Sequence, residues 1–310
     1  MIIIRDTEQL KERGLIVTVG FFDGVHLGHR FLISQMKEAG RRLHLSTAVV
    51  TFPEHPRKVL QKDYQPRLLN SFEEKLAHLE ETGIDYCIIL DFTPELSRLS
   101  ASDFIRDILA TDLHVKALLV GYDHRFGYDR TDDFEQYALY GRRCGIEVIR
   151  ATPYAGDSLH VSSSEIRRLL AEGKVDNAAK LLACRYRIRG SIVTGFKVGR
   201  ELGFPTANIR IDEPYKIIPA TGVYAVWVYL KGKRYAGMLY IGNRPTLNNG
   251  DEITPEVNIF DFSEEVYNED ITVEFVRYVR GNIRFESVGA LAGQLAKDRK
   301  EIELILKNEE

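Results

Sequence analysis

Cysteine is scarce in this chain. Three occur in 310 residues, Cys87, Cys144 and Cys184, far apart and without a CxxC pair or a Cys/His cluster of zinc spacing. A disulfide scaffold and a zinc module are thereby excluded, and reduced thiols in a cytoplasmic protein are expected. No apolar stretch approaches membrane-spanning length, and the isoleucines at 2–4 give way at once to Arg5, Asp6 and Glu8, so neither a membrane span nor a secretory signal core is expected. Excess positive charge is also missing: the formal net charge is −3 and the signs are mixed throughout, which argues against a nucleic-acid partner. The chain has no low-complexity segment, no internal repeat and no GxxxxGK[ST] loop. What is left is enough ordinary globular sequence for two hydrophobic cores.

The hydrophobic pattern changes period along the chain. Short apolar runs, Leu15 to Phe22, Leu45 to Phe52, Tyr86 to Leu90, Val115 to Val120 and Ile146 to Ile149, alternate with amphipathic stretches. Continuous apolar runs between helices predict an α/β domain with a parallel sheet covered on both faces. From Tyr186 the pattern becomes two-residue alternation, in Ile188 to Val193, Val223 to Leu230, Arg234 to Ile241, Pro255 to Phe262 and Ile271 to Val279. Lys231-Gly-Lys233 reads as a hairpin, and the spacing predicts a small antiparallel barrel. A final helix over Ser287 to Lys307 places Val288, Leu291, Leu295, Ile302 and Ile305 on one side. The expected domains are 1–183 and 184–310.

Chemistry gathers after the predicted strands of the first half, where parallel sheets bind ligands. After the first comes GFFDGVHLGH, in which Gly20, Gly24 and Gly28 allow a bulky anion close to the backbone and lead it to a helix N-terminus. Phe22 and Asp23 belong to the same loop. His26 and His29, three apart, can stabilise charge on phosphate oxygens, although glycines after a strand also make plain turns and such a pair also occurs merely solvated. After the second strand comes His55, and after the fourth GYDHRFG with Asp123, Arg125 and Phe126. Further on, HVSSSEIR carries Ser162, Ser163 and Arg167, with Ser162 and Glu165 at capping-box spacing.

The second half has its own centre. Gly195, Gly199 and Gly203 recur every four residues among Lys197 and Arg200, a loop able to wrap phosphates. Pro205-Thr206-Ala207-Asn208 follows; if a strand opens there, the oxygens of Thr206 and Asn208 point the same way and suit one hard cation. Glu256 and Asn258 repeat the separation of two, opposite in phase to Val257 and Ile259, which are expected to face inward. Glu256 could take a proton from an attacking hydroxyl or be one more exposed glutamate.

Together these strings resemble a known family. GFFDGVHLGH resembles the HxGH signature of nucleotidyltransferases in the version used by bifunctional riboflavin kinase/FAD synthetases, and SSSEIR is similar to their SSTxIR motif. GRELGFPTAN, GVYAV, IGNRPT and PEVNIFDF resemble the riboflavin kinase module. The resemblance covers nearly the whole chain, with departures at Phe21 (more often Asn), Leu247 (commonly Phe), TFPEHP and GYDRTDD. It implies a Rossmann-like domain that adenylylates FMN to FAD, with Ser163, Arg167 and possible help from Ser162 at the ATP phosphates. It also implies a barrel that phosphorylates riboflavin to FMN, with Thr206 and Asn208 holding Mg²⁺ and ATP and Glu256 as base. An adenylyltransferase for another phosphate ester, a flavin-binding module without turnover and a nucleic-acid binder are the rivals. The intact PTAN and PEVNIFDF motifs oppose the first, retention of both catalytic sets opposes the second, and the acidic balance opposes the third.

Overall fold

The computed structural model describes residues 1–10, 14–61, 63–122, 124–128, 131–154, 156, 161–194, 203–243 and 253–309. The chain divides into two compact units, Met1–Ser163 and Ser164–Glu310.

The first unit is built on a parallel six-stranded sheet: β1 (Ile2–Ile4), β2 (Leu15–Val19), β3 (Ser46–Thr51), β4 (Tyr86–Ile89), β5 (Val115–Val120) and β6 (Glu147–Arg150), in the order β1-β4-β3-β2-β5-β6. Successive residues of β2 enter different cores. Leu15 and Val17 join Val50, Ile88, Leu118 and the helical segment Ala101–Asp112, whereas Ile16 joins Val49, Leu119 and Ile33 and Met36 of α1 (Leu27–Leu43). That two-sided burial is why the strand reads as an unbroken apolar run. The remaining α-helices of this unit are α2 (Pro56–Leu60), α3 (Phe72–Glu80), α4 (Pro94–Ser97), α5 (Ala101–Asp103, continued in wider π turns to Asp112) and α6 (Phe134–Arg143). From β2 the chain moves outward through β3 to β4, then crosses back to place β5 on the other side of β2. The carboxyl end of β2 is therefore the topological switch point, the place where such sheets bind nucleotides.

The second unit takes in most of α7 (Ser163–Ala171), α8 (Val175–Leu182) and a closed antiparallel barrel. Its strands are β7 (Arg187–Val193), β8 (Ala207–Ile211), β9 (Gly222–Leu230), β10 (Lys233–Asn243), β11 (Ile253–Ile259) and β12 (Asp270–Arg280), which close in the order β10-β11-β8-β7-β12-β9. Lys231 (φ 49°) and Gly232 (φ 74°) form the expected two-residue hairpin between β9 and β10. Val257 and Leu239, paired across β11 and β10, are fully buried, as expected for inward positions. The neighbouring positions Ala225 and Met238 face outward and pack with Trp227 against Ile302, Ile305 and Leu306 of α9 (Val288–Lys307). α9 departs from expectation at its start: Val288 is 67% exposed, and the buried stripe instead includes Asp298, which accepts from Arg280 Nη2 at 2.7 Å. α7 and α8 are part of this packing. Ala220 N donates to Leu170 O at 3.0 Å, and a Cβ on Gly173 would lie 3.0 Å from the Tyr278 ring.

Two candidate active sites

At the first site the end of β2 runs into a turn that no regular element would adopt. Phe22 (φ 57°) and Val25 (φ 38°) take left-handed backbone angles, alongside Gly24 (φ 84°). Such angles cost a non-glycine residue about 1–3 kcal/mol and are held only where the surroundings over-determine them. Several contacts do so here. Gly20 N donates to Val50 O (3.0 Å), the buried Asp23 carboxylate accepts from Leu69 N (3.0 Å) and Asn70 N (3.3 Å), and Ser163 Oγ donates to Asp23 O (2.9 Å). The carboxylate of Asp23 thus builds the loop.

His26 is the N-cap of α1 rather than a member of it: its Nδ1 accepts from His29 N at 3.4 Å. The two imidazoles stack, with centroids 3.7 Å apart and planes 15° from parallel. Gly28 makes this possible, because a Cβ there would sit 3.3 Å from Nδ1 and Cε1 of His26. Burial, then the neighbouring His26 and His124, hold the His29 imidazole well below its ordinary pKa, and its Nδ1 is buried without a hydrogen-bond partner. A neutral imidazole with an unpartnered Nδ1 at a helix N-terminus is poised to meet an anion and take a proton as that anion arrives.

The other strand ends contribute as follows. His55 caps α2, accepting from Arg57 N at 3.1 Å, and stands edge-on to Phe21 at 4.8 Å. Phe126 stacks on Tyr137 at 4.4 Å. Arg125 lines a cleft of about 190 Å³ with His124, Tyr122 and Arg150. Arg167 follows Ser163 by one helical turn on α7. Asp123 lies outside the described residues, as do Gly195, Lys197, Gly199 and Arg200 of the second loop.

In the barrel, register makes the site. Glu256 on β11 pairs with Asn208 on β8 and, on its other side, with Tyr240 on β10. Residues directly paired across strands share a face, so the carboxylate, the amide and the phenol belong to one surface, the side on which Met238 meets α9. Burial and the Glu256 carboxylate both push the Tyr240 phenol above its ordinary pKa and keep it protonated. Asn258 is buried; its Nδ2 donates to Pro205 O at 2.7 Å, while its Oδ1 has no partner. Thr206 is exposed and lines a cavity of about 340 Å³ with Pro205, Ala207, Val257 and Ile259, and Gly203, three residues earlier in the chain, turns with φ 78°. Glu256 is not in that lining.

A threonine hydroxyl, a buried amide oxygen and a carboxylate are hard donors, and the orphaned Asn258 Oδ1 adds another nearby oxygen. Oxygen donors of this kind suit a hard cation such as Mg²⁺, whose shell phosphate and water would complete. Two features escaped sequence reasoning. Lys75 sits buried beside the HxGH loop, and Tyr240 stands across from Glu256. Only non-local packing brings either to its site.

A parallel sheet with a stacked HxGH pair at its switch point, followed by a barrel that pairs a carboxylate with metal-type oxygens, defines a two-module nucleotide-dependent transferase. Family models agree: that of FAD synthetase matches residues 8–165 and that of riboflavin kinase matches 182–306. The bifunctional riboflavin kinase/FMN adenylyltransferase of Listeria monocytogenes is 35% identical over 95% of this chain and 93% of its own. That of Escherichia coli K12 is 35% identical over 95% and 94%. A crystal structure described as a macrolide-efflux protein from Streptococcus pneumoniae superposes with a TM-score of 0.87 at 31% identity, covering 97% of this chain and 98% of that one. The chain belongs to the bifunctional riboflavin kinase/FMN adenylyltransferase family.

Proposed function

We propose that the residues assembled above carry out the two successive reactions of this family. Riboflavin and ATP give FMN and ADP at the barrel, and FMN with a second ATP gives FAD and pyrophosphate at the first site. The observation that carries this reading is the coincidence of two consecutive family matches, over residues 8–165 and 182–306, with two sites of different chemistry.

In the kinase reaction Glu256 removes the proton from the 5′-hydroxyl of riboflavin as that oxygen bonds to the γ-phosphorus and ADP departs. Thr206 and Asn208 are the assigned Mg²⁺ ligands, and the cation, when bound, neutralises charge on the transferring phosphoryl group. Asn258 fixes Pro205 and so holds the Thr206 turn. Gly195, Lys197, Gly199, Arg200 and Gly203 are assigned to the ATP phosphates.

In the adenylyl transfer an FMN phosphate oxygen bonds to the α-phosphorus of ATP while pyrophosphate leaves. The nucleophile is already anionic, so the site needs charge stabilisation and no strong base. His26, His29 and the α1 N-terminus supply it, with Ser162, Ser163 and Arg167 assigned to the triphosphate. Gly20, Phe22, Asp23 and Gly24 shape the loop, and His55, Asp123, Arg125 and Phe126 are assigned to the flavin or adenine.

We assign adenylyl transfer to the motifs within residues 1–183 and phosphorylation to those within 184–310, with α7 and α8 completing the fold of the second unit, in a cytoplasmic enzyme whose partners are these small molecules. The free thiols fit a reducing compartment. Among the described residues no helix is long and apolar enough to cross a membrane. Incubation with riboflavin, ATP and Mg²⁺, with flavins separated by chromatography, tests the reading. FMN should appear first and FAD after it, and unaltered riboflavin would refute the kinase assignment.

A further inference from the structure

Lys75, on the second turn of α3, is 3% exposed, yet among the described residues it forms no ion pair. Its ammonium donates to Phe52 O at 2.7 Å and Phe21 O at 3.2 Å, and lies 4.1 Å from the centroid of the Phe21 ring. Burying an ammonium against neutral partners is costly, and an apolar side chain of the same length would avoid that cost. Its placement explains what the charge does. Phe21 and Phe52 are the residues at which β2 and β3 leave the sheet, where ladder pairing runs out and the ligand edge begins. Phe21 O also accepts from Thr51 Oγ1 at 3.2 Å, so its carbonyl is held from two sides immediately before the left-handed turn at Phe22. The same helix is tied to the loop a second time, since Asp23 accepts from the amides of Leu69 and Asn70, just ahead of the Ser71 cap of α3.

We infer that Lys75 is a positioning residue for adenylyl transfer, pinning the carboxyl ends of β2 and β3 so that the loop presents His26 and His29 in the stacked geometry. This rests on the two-site reading above. The groups that act on Lys75 electrostatically are Asp23 on the loop and Cys87 on β4. The Cys87 thiol is pushed up to about 11 by burial and stays neutral over the working range. Burial brings Lys75 down to about 8, with Asp23 opposing. The clamp is therefore half charged near that pH, charged well below it and discharged well above it.

The test uses the full chain. Lys75→Met keeps the stem and removes the ammonium, and FAD formation from FMN is followed from pH 6.5 to 9.5, with riboflavin phosphorylation by the same preparation as the control. In the parent chain FAD formation should decline on an alkaline limb near pH 8. In Lys75→Met its kcat should fall roughly 10- to 100-fold, without that limb, while FMN formation stays within about twofold. A folded variant with parental FAD kinetics, or with the limb intact, overturns the inference. Should Lys75→Met not fold, Phe21→Leu decides. Losing the ring removes its attraction for the ammonium and should move the limb to lower pH, and an unmoved limb refutes the role. A parent chain that makes FMN and no FAD at any pH would instead refute the first-site assignment itself.

Discussion

Cutting the chain at the start of the kinase motifs should damage a module that a cut about twenty residues earlier preserves. The family match to riboflavin kinase begins at residue 182, but the compact unit begins at Ser164 and includes α7 and α8. A fragment from Cys184 to Glu310 discards the buried Leu170, Val175, Leu181 and Leu182, together with the Leu170 carbonyl that receives Ala220 N. Each large aliphatic side chain contributes about 1.5–3 kcal/mol when buried, so these four account for roughly 6–12 kcal/mol. A domain's whole stability is about 5–15 kcal/mol. The short fragment should therefore be unfolded or nearly so, whereas a fragment from Val161 to Glu310 should fold and phosphorylate riboflavin. Urea unfolding followed by circular dichroism, with FMN production measured on both fragments, makes the comparison. Equal urea midpoints would mean that α7 and α8 contribute nothing to this module. A folded long fragment inactive on riboflavin, beside an active full chain, would mean that the kinase site borrows residues from the first module.

Other outcomes follow from the two sites. His29→Ala should reduce FAD formation on the order of 100-fold or more and leave FMN formation intact; equal loss of both activities in a folded protein would refute the assignment. Glu256→Gln keeps the shape and loses the base, so phosphorylation should drop about 10²–10⁴-fold while supplied FMN is still converted to FAD. Thr206→Ala should raise the Mg²⁺ concentration needed for phosphorylation alone, and an unchanged Mg²⁺ titration would reduce the PTAN segment to a turn. Finally, because the folded-state pKa of His29 lies below its unfolded value, the unfolded chain binds the extra proton first as pH falls below about 6.5. Thermal stability should therefore decline over that interval, and His29→Phe should flatten the decline when melting temperature is plotted against pH.

What could be read from the sequence was local. The strand, glycine loop and helix of GFFDGVHLGH lie within one stretch, and an apolar run ending in glycines dictates that order whatever surrounds it. The Lys231-Gly232 turn has the same character, because two residues with positive φ between alternating strands define a hairpin. Two-residue periodicity likewise separated inward Val257 from outward Glu256 without knowledge of either neighbour.

Tertiary structure decided whatever depends on a distant partner. Ile2–Ile4 is too short to show a period, and becomes a strand only because Tyr86–Ile88 lies beside it. Val288 fits the apolar stripe of α9 by spacing, yet it lies beyond the barrel surface that buries Ile302 and Ile305. Side-chain ionisation and cross-strand register belong to the same class. The unpartnered nitrogen of His29, the buried ammonium of Lys75 and the alignment of Tyr240, Glu256 and Asn208 on three strands are set by desolvation and hydrogen bonding among segments remote in sequence, and no local pattern of residues encodes them.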